Sequence, residues 1–443
     1  MTLFRVFFSL IAVYACTSQL TQADESKDLK QLSLIQAQAI FQSNNKEVLA
    51  AQRMLQGTEA DAVSAAQKPN PILSIGVSSL NLNRSTGNKN SVNNSNSLQD
   101  QTLNTGVQIS QLIERGDKRE FRMSSSKNAI TASQLDVKDV ERQLTLALNS
   151  SYYDLLLGQE IESIQMKNVN LYEKTLQAAE LRFKAGDVAS IDVSRIHVDL
   201  LKAKNDLRQA EANRQKAQAN LAYLIGQEQY AAAIVAQDRW PDVANSMNQQ
   251  ISKNIDTRAD VLAADARTKQ AEENQRLASA LKTRDVNIAL QYQHFPGQMP
   301  GSDVNTIGAA ITIPLFTNYE YQGEISRAEV DLTAAIEAKE RIRAAAATEI
   351  SRVAADLQAA SDKLQRFDSQ ILTEAEKAAN ASEFAYNHGA IGITDLLDSR
   401  RILRTLQLDA ASVRADFAKA LVTWQAVNKT ADEQNNSAKN QAF

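Results

Sequence analysis

The ionisable residues of this chain offer little to a catalyst. Its three histidines, His197, His294 and His388, stand in unrelated contexts: a helical stretch, a strand end and a turn. No Ser/His/Asp spacing, HExxH motif or phosphate-cradling glycine loop accompanies them. The sequence therefore argues against an enzyme, and no cofactor or resident metal site is expected. Cys16 is the single cysteine, which excludes a disulfide framework and any cysteine-built metal cluster. The acidic pair in Thr394-Asp395-Leu396-Leu397-Asp398 is the exception. Its carboxylates lie three apart at a helix start, so both can face one direction. Taken alone, they are first-turn acids of the kind the helix macrodipole favours.

What positions that pair is a repeat. Arg182-Phe183-Lys184-Ala185-Gly186, with Asp192 six residues after the glycine, recurs 203 residues later as Ala385-Tyr386-Asn387-His388-Gly389 with Asp395. A heptad seam runs through Val193, Ile196, Leu200, Ala203, Leu207, Ala210, Arg214, Ala217 and Leu221. Its second copy is Leu396, Ser399, Leu403, Leu406, Ala410, Val413, Phe417, Ala420 and Trp424. Upstream of each seam is a run of about 65 residues with almost no Gly or Pro, from about Asp117 to Ala185 and from about Glu324 to His388. A helix of that length measures about 100 Å. Gly186 and Gly389 close the long helices at the C-cap, and Asp192 and Asp395 open the next ones. Shorter helices are expected over about Leu34–Gln67, Ile191–Gln227, Thr257–Lys282 and Ile393–Val427.

Each half also holds two strand candidates. Leu73, Ile75 and Val77 alternate with small or polar residues, as do Val107 and Ile109. In the second half Ile288 and Leu290 do the same, followed by Ile307, Ala309, Ile311, Ile313 and Leu315. About ten residues with one apolar face is the span of a tilted transmembrane β-strand. Tyr292, Phe295, Phe316, Tyr319 and Tyr321 gather at strand ends, where an interfacial aromatic girdle would lie. The polar tract Asn81 to Asn104 suits an extracellular loop.

Composition agrees. Of 443 residues 43% are apolar but only 5% aromatic, with 14 Gly and 6 Pro, so long helices and coiled coil are favoured over several globular cores. The net charge of −4, with acids and bases interleaved, provides no basic field for nucleic acid. Arg5 followed by the apolar run Val6 to Ala15 reads as a secretory signal. Cleavage after Thr21-Gln22-Ala23 is one exit. The other is Val13-Tyr14-Ala15-Cys16, a lipobox-like run in which Cys16 would be lipidated. The expected organisation is a signal peptide over 1–23, a first repeat over 24–227, a linker over 228–256, a second repeat over 257–428 and a flexible tail over 429–443.

Four outward-apolar strands cannot close a barrel, for which about eight are needed. Lipid tolerates no open edges. Several exported chains must then share one barrel, with long helices reaching into water. At this point the sequence resembles the TolC-type outer-membrane efflux proteins. The matching pieces are Leu32-Ser33-Leu34-Ile35-Gln36-Ala37, Lys68-Pro69-Asn70-Pro71, Ile109 to Arg119 (Ile-Ser-Gln-Leu-Ile-Glu-Arg-Gly-Asp-Lys-Arg), Arg258-Ala259-Asp260-Val261, and Ile313-Pro314-Leu315-Phe316 with Gln322-Gly323-Glu324-Ile325. The Pro-Asn-Pro and the Glu-Arg-Gly-Asp-Lys-Arg run are most similar to the CzcC-like, heavy-metal branch.

The resemblance implies a mainly α fold with a small β part: a helical coiled-coil barrel plus four transmembrane strands per chain. It implies a homotrimer with a 12-stranded barrel in outer-membrane lipid, joined by a periplasmic adaptor and an inner-membrane pump, acting as a passive conduit. The lipid-facing residues would be Leu73, Ile75, Val77, Val107, Ile109, Ile288, Leu290, Ile307, Ile311 and Ile313. Arg182, Gly186, Ser190 and Gly389 would form adaptor-docking tips, although the family's Ser or Thr three residues after the glycine is Ala189 or Gly392 here. Asp395 and Asp398 match an acidic ring at the closed tunnel end, whose field would act on passing cations. Tyr386 and Asp192 match partners of a closing hydrogen bond, while the family's nearby arginine position is Ile391. The branch resemblance points to metal cations as cargo, with organic compounds the alternative. An exported coiled-coil scaffold without a barrel is the competing class.

Overall fold

The computed structural model describes residues 29–78, 104–243, 255–295 and 304–428. The signal segment, the Cys16 lipobox, nearly all of the Asn81–Asn104 loop and the 429–443 tail lie outside the described residues. The elements in chain order are α1 (Leu34–Asn44), α2 (Lys46–Ala65), β1 (Ile72–Ser78), β2 (Asn104–Ile113), α3 (Lys118–Lys184), α4 (Ser190–Leu224), α5 (Ala259–Ala280), β3 (Val286–Phe295), β4 (Val304–Thr312), α6 (Gln322–Arg366), α7 (Leu372–Asn387) and α8 (Ile393–Asn428).

Three details depart from the sequence expectation. The single helix expected over Leu34–Gln67 is broken at Asn45. The Asn45 side chain accepts from the backbone N–H of Glu47 (2.9 Å) and Val48 (3.0 Å) and so caps α2 as a separate helix. The second long helix is interrupted by a π-turn, Phe367–Ile371, between α6 and α7, whereas α3 runs 67 residues unbroken. The last strand ends at Thr312, so Ile313 and Leu315 lie beyond it; Pro314 has no N–H to continue a ladder.

The chain divides into two compact units, and each draws on both halves of the repeat. One comprises residues 1–53, 135–262 and 341–443 and is helical. Most of each seam is buried: Ile196, Leu200, Ala203, Ala210, Ala217 and Leu221 on α4, and Leu396, Ala410, Val413, Phe417 and Trp424 on α8. The other seam positions, Val193, Leu207, Arg214, Ser399, Leu403, Leu406 and Ala420, are half-buried. One cluster joins Val353, Leu357 and Leu364 of α6 to Val413, Phe417 and Leu421 of α8. Another gathers Leu29, Leu32, Phe41, Tyr152, Leu155 and Leu221 around the start of the chain. There the Tyr152 hydroxyl donates to the Leu32 carbonyl (2.9 Å), and Leu32 bridges in parallel to Ala236. Trp240 stacks on Tyr153 at 6.0 Å and donates to Glu160 (2.6 Å). The segment after α4 is thus pinned to α3.

The other unit, residues 54–134 and 263–340, carries the sheet, an antiparallel meander in the order β1-β2-β3-β4. Leu73 pairs with Ile109, Ile109 with Leu290 and Leu290 with Ala309. One register step along, Ile75, Val107, Tyr292 and Ile307 form the next row. Strand side chains alternate between faces, so these residues share one face. The expected lipid-facing residues within the strands therefore line up across all four. They are exposed, with Ile75 at 75%, Ile307 at 85% and Ile311 at 68% of full accessibility. The opposite face carries Ser74, Gln108, Gln291, Gln293 and small residues, with large apolar side chains (Ile72, Leu112, Phe295 and Val304) only at the strand ends.

Between β2 and α3 the Glu114-Arg115-Gly116-Asp117-Lys118-Arg119 run forms a polar latch. Lys118 is buried and donates to Asp285 and to the Thr283 carbonyl, both at 2.8 Å. Arg122 holds Glu114 through two bonds of 2.7 and 2.8 Å, the two-pronged geometry that makes such pairs strong. Arg119 donates to the Ala66 carbonyl (2.7 Å), and Gln111 to that of Pro69 (2.7 Å). The junction is therefore tied both to the residues ahead of β1 and to those ahead of β3.

Candidate functional site

Two places carry the predicted site residues. The first is the pair of turns that end α3 and α7. At the end of α3 the N–H of Gly186 bonds to the Phe183 carbonyl (3.0 Å) and that of Asp187 to the Arg182 carbonyl (2.9 Å). At the end of α7 Gly389 bonds to Tyr386 (3.0 Å) and Ala390 to Ala385 (2.9 Å). These are the same two bonds, 203 residues apart, and both match the helix-ending motif that needs a left-handed residue. Gly186 and Gly389 supply it, with φ of 88° and 72°. A Cβ at either would meet nothing within 4 Å. Glycine is required there by backbone conformation alone.

Around the turns the side chains differ. The Arg182 guanidinium lies over the Tyr386 ring, 5.3 Å from its centre, a cation–π contact that ties the two turns together. Asp192 faces Arg195 at 3.8 Å, and Arg195 reaches the Thr394 hydroxyl at 3.4 Å. Among the described residues no hydrogen bond joins Tyr386 to Asp192; each has the arginine partner just named. Ser190 is exposed and opens α4, but the N-cap before it, Ala189, has no side chain to offer the helix. Asp395 and Asp398 are both exposed on the first turns of α8. Asp398 pairs with Arg401 (2.9 Å), which also approaches Asp199 of α4 at 3.6 Å. Asp395 makes no ion pair among the described residues, so it keeps the freer charge of the two.

Sequence reasoning missed the ties between the hairpins. Arg404 binds Asp206 (3.1 Å), Arg414 binds Glu160 (3.0 Å), and Lys419 binds Asp154. The cations stand on α8 and the anions on α3 or α4. The signal was available, since Arg401 and Arg404 on one helix answer Asp199 and Asp206 on another at seam-like spacing.

The second place is the exposed apolar face of the sheet. At its helix-side end Phe316 and Tyr321 meet edge to face at 5.3 Å, Tyr319 lies 6.1 Å from Tyr321, and Arg284 covers Phe316 at 5.2 Å. At its other end the Tyr292 hydroxyl donates to Asn305 (2.8 Å), beside His294. Aromatic and polar groups thus bracket an apolar middle. No helix among the described residues is long and apolar enough to cross a membrane, and no group of three His, Cys, Asp or Glu side chains gathers there to hold a metal ion.

Residues 18–227 match the model of the family described as outer membrane efflux protein. The chain is 23% identical over 401 residues to the cobalt-zinc-cadmium resistance protein CzcC of Cupriavidus metallidurans, covering 88% of each. It is 22% identical over 390 residues to the pyoverdine export outer membrane protein OpmQ of Pseudomonas aeruginosa, covering 86% of this chain and 81% of that one. The fold is similar to the CmeC outer membrane channel of Campylobacter jejuni, with a TM-score of 0.75 at 14% identity over 94% of this chain and 90% of that one. The resemblance to TolC-type outer-membrane efflux proteins read from scattered motifs is thereby borne out.

Proposed function

We propose that this chain is the outer-membrane channel of a tripartite efflux system, a passive trimeric conduit from periplasm to exterior. The observation that carries the reading is the sheet: one face exposed and apolar across all four strands, and the outer edges of β1 and β4 unpaired among the described residues. An apolar face of this kind suits lipid, and the free edges suit pairing with the next copy. Three copies supply the 12 strands of a closed barrel. A coiled-coil scaffold in water gives no reason for such a face. The helical unit then forms the periplasmic tunnel. Its turns at Gly186 and Gly389, with Arg182 and Ser190, meet the adaptor protein, and the inner-membrane pump supplies the energy. Asp395 and Asp398 form the periplasmic gate, with Tyr386 and Asp192 beside them. No nucleic acid and no cofactor enter this reading.

The cargo we infer is heavy-metal cations, supported by the similarity to CzcC. The similarity to OpmQ supports a second reading, in which organic compounds pass. Deleting the gene and measuring growth in cobalt, zinc and cadmium, and separately with organic toxicants, decides between them. Sensitivity confined to organic compounds would overturn the metal reading. The channel reading is tested by extracting the protein from outer membranes and running it with and without heating. A heat-dissociable trimer is expected; a monomer recovered without detergent would refute it.

A further inference from the structure

The apolar face of the sheet is accounted for above; the opposite face is not. Along it Ser74, Gln108, Gln291 and Gly308 form one cross-strand row, and Gly76, Gly106, Gln293 and Thr306 the next. Within the four strands no ionisable side chain stands on this face, since His294 belongs to the other. Gln291 faces a glycine across the strand pair. A Cβ built on Gly308 would lie 2.9 Å from the Gln291 Nε2, 3.1 Å from its Cγ and 3.4 Å from its Cδ. Gly308 has no positive φ, so its backbone conformation does not call for glycine. The space above it is filled instead by the neighbouring amide. Gly76, on the same face, has nothing within 4 Å of its own Cβ position. Gly106, opposite Gln293, would meet that side chain only at 3.4 Å, an ordinary contact, so on this face the crowding below 3 Å is particular to Gly308.

We propose that Gly308 is a positioning residue that lets the Gln291 side chain lie flat along the sheet and so sets the free width of the bore. The proposal rests on the channel reading, in which this face lines the barrel. A methyl group at 308 would occupy the amide's place, and the glutamine would turn off the wall into the lumen. With one Gln291 from each of three chains at one level, the bore would narrow on three sides at once. Because the wall bears no formal charge, the effect is one of size and not of ion selectivity.

The test uses the purified full-length trimer in planar bilayers. Neutral polyethylene glycols of graded size are added on the side of the Ser78 and Phe295 strand ends, and the largest polymer that enters and lowers conductance is recorded. Gly308→Ala should shift that cut-off to a smaller polymer, and Gly308→Ala combined with Gln291→Ala should return it to the parent value. Gly76→Ala should leave it unchanged. An unshifted cut-off in Gly308→Ala, or a double variant as narrow as the single one, overturns the proposal. Should Gly308→Ala not assemble, Gln291→Ala alone decides: a flat glutamine leaves the cut-off in place, and a wider bore means that it already projected inward. A parent trimer that gives no channels overturns the channel reading together with this one.

Discussion

The two strand-to-helix junctions occupy equivalent places in the repeat and are made of opposite materials. Between β2 and α3 the chain is held by charge: buried Lys118 on Asp285, and Arg122 gripping Glu114. Between β4 and α6 it is held by rings, Phe316 against Tyr321 with Arg284 above, and the Tyr319 hydroxyl on Glu324. The two tip turns, by contrast, share the same pair of backbone bonds. Where the backbone itself makes the geometry, the duplicated halves have kept one solution. Where side chains make it, they have diverged.

The largest effects should come from breaking the charged junction and the apolar face of the sheet, the junction first. Lys118→Ala leaves Asp285 without its cation. The side chains retain 7% and 25% of their exposure, so about 3 kcal/mol is expected, the lower end for breaking a buried pair. The temperature at which the trimer dissociates on a gel reads it. Tyr319→Phe, at an exposed hydrogen bond of the aromatic junction, should cost about 1 kcal/mol or less. Equal losses at the two would erase the contrast.

Next come the strands. Ile109→Arg in the first half and Ile288→Arg or Ile311→Arg in the second should each impair assembly by about 2–4 kcal/mol if near the bilayer midplane. Asn287→Arg, on the opposite face, should be far milder. Trimer yield in the outer membrane measures this, and similar losses on both faces would refute the assignment of the apolar face to lipid.

At the tips the prediction is sameness in stability. Gly186→Val and Gly389→Val each force a β-branched residue to positive φ, at about 1–3 kcal/mol. Trimer levels should hold while efflux and cross-linking to the adaptor fall. Unchanged cross-linking with efflux intact would put the docking surface elsewhere.

The smallest structural effect, and the most specific functional one, belongs to the acidic pair. Asp395→Ala with Asp398→Ala should leave assembly unchanged but weaken block of single-channel current by a trivalent cation from the periplasmic side. Asp398 already shares Arg401, so Asp395→Ala alone should account for most of the loss. Block as tight as in the parent would mean that these are ordinary first-turn acids.

Much of this was legible in the sequence because it is periodic. The heptad seams, the strand alternation and the paired glycines follow from local spacing; burial agrees with the seams, the cross-strand register with the alternation, and the turn hydrogen bonds with the glycines. What was not legible depends on partners distant in the chain. The Glu114–Arg119 run could be seen as a family mark but not as a latch, since Thr283 and Asp285 lie far along the chain. Arg182 gave no hint that it would cover Tyr386. The π-turn at Phe367–Ile371 has no residue signature. It lies where Arg414 of α8 binds Asp368 (2.8 Å) and Glu160 (3.0 Å), in a helix whose propensities read as continuous. At the acidic pair, the sequence identified Asp395 and Asp398 but not that Arg401 offsets Asp398 alone.

The register of the meander also bears on the order in which the molecule can form. Ile75 pairs with Val107, closing a loop of about 30 residues, but Ile109 pairs with Leu290, closing one of about 180. That is about two and a half doublings of loop length, or about 1.5 kcal/mol of added closure entropy. The helical hairpins close through turns of a few residues and can form as soon as each is made. The sheet cannot be completed until most of the second half has emerged. Until then β2 presents a bare edge and an apolar face to water, the combination that invites wrong pairing. During export, the interval between synthesis of β2 and arrival of β3 is when this chain most needs an escort.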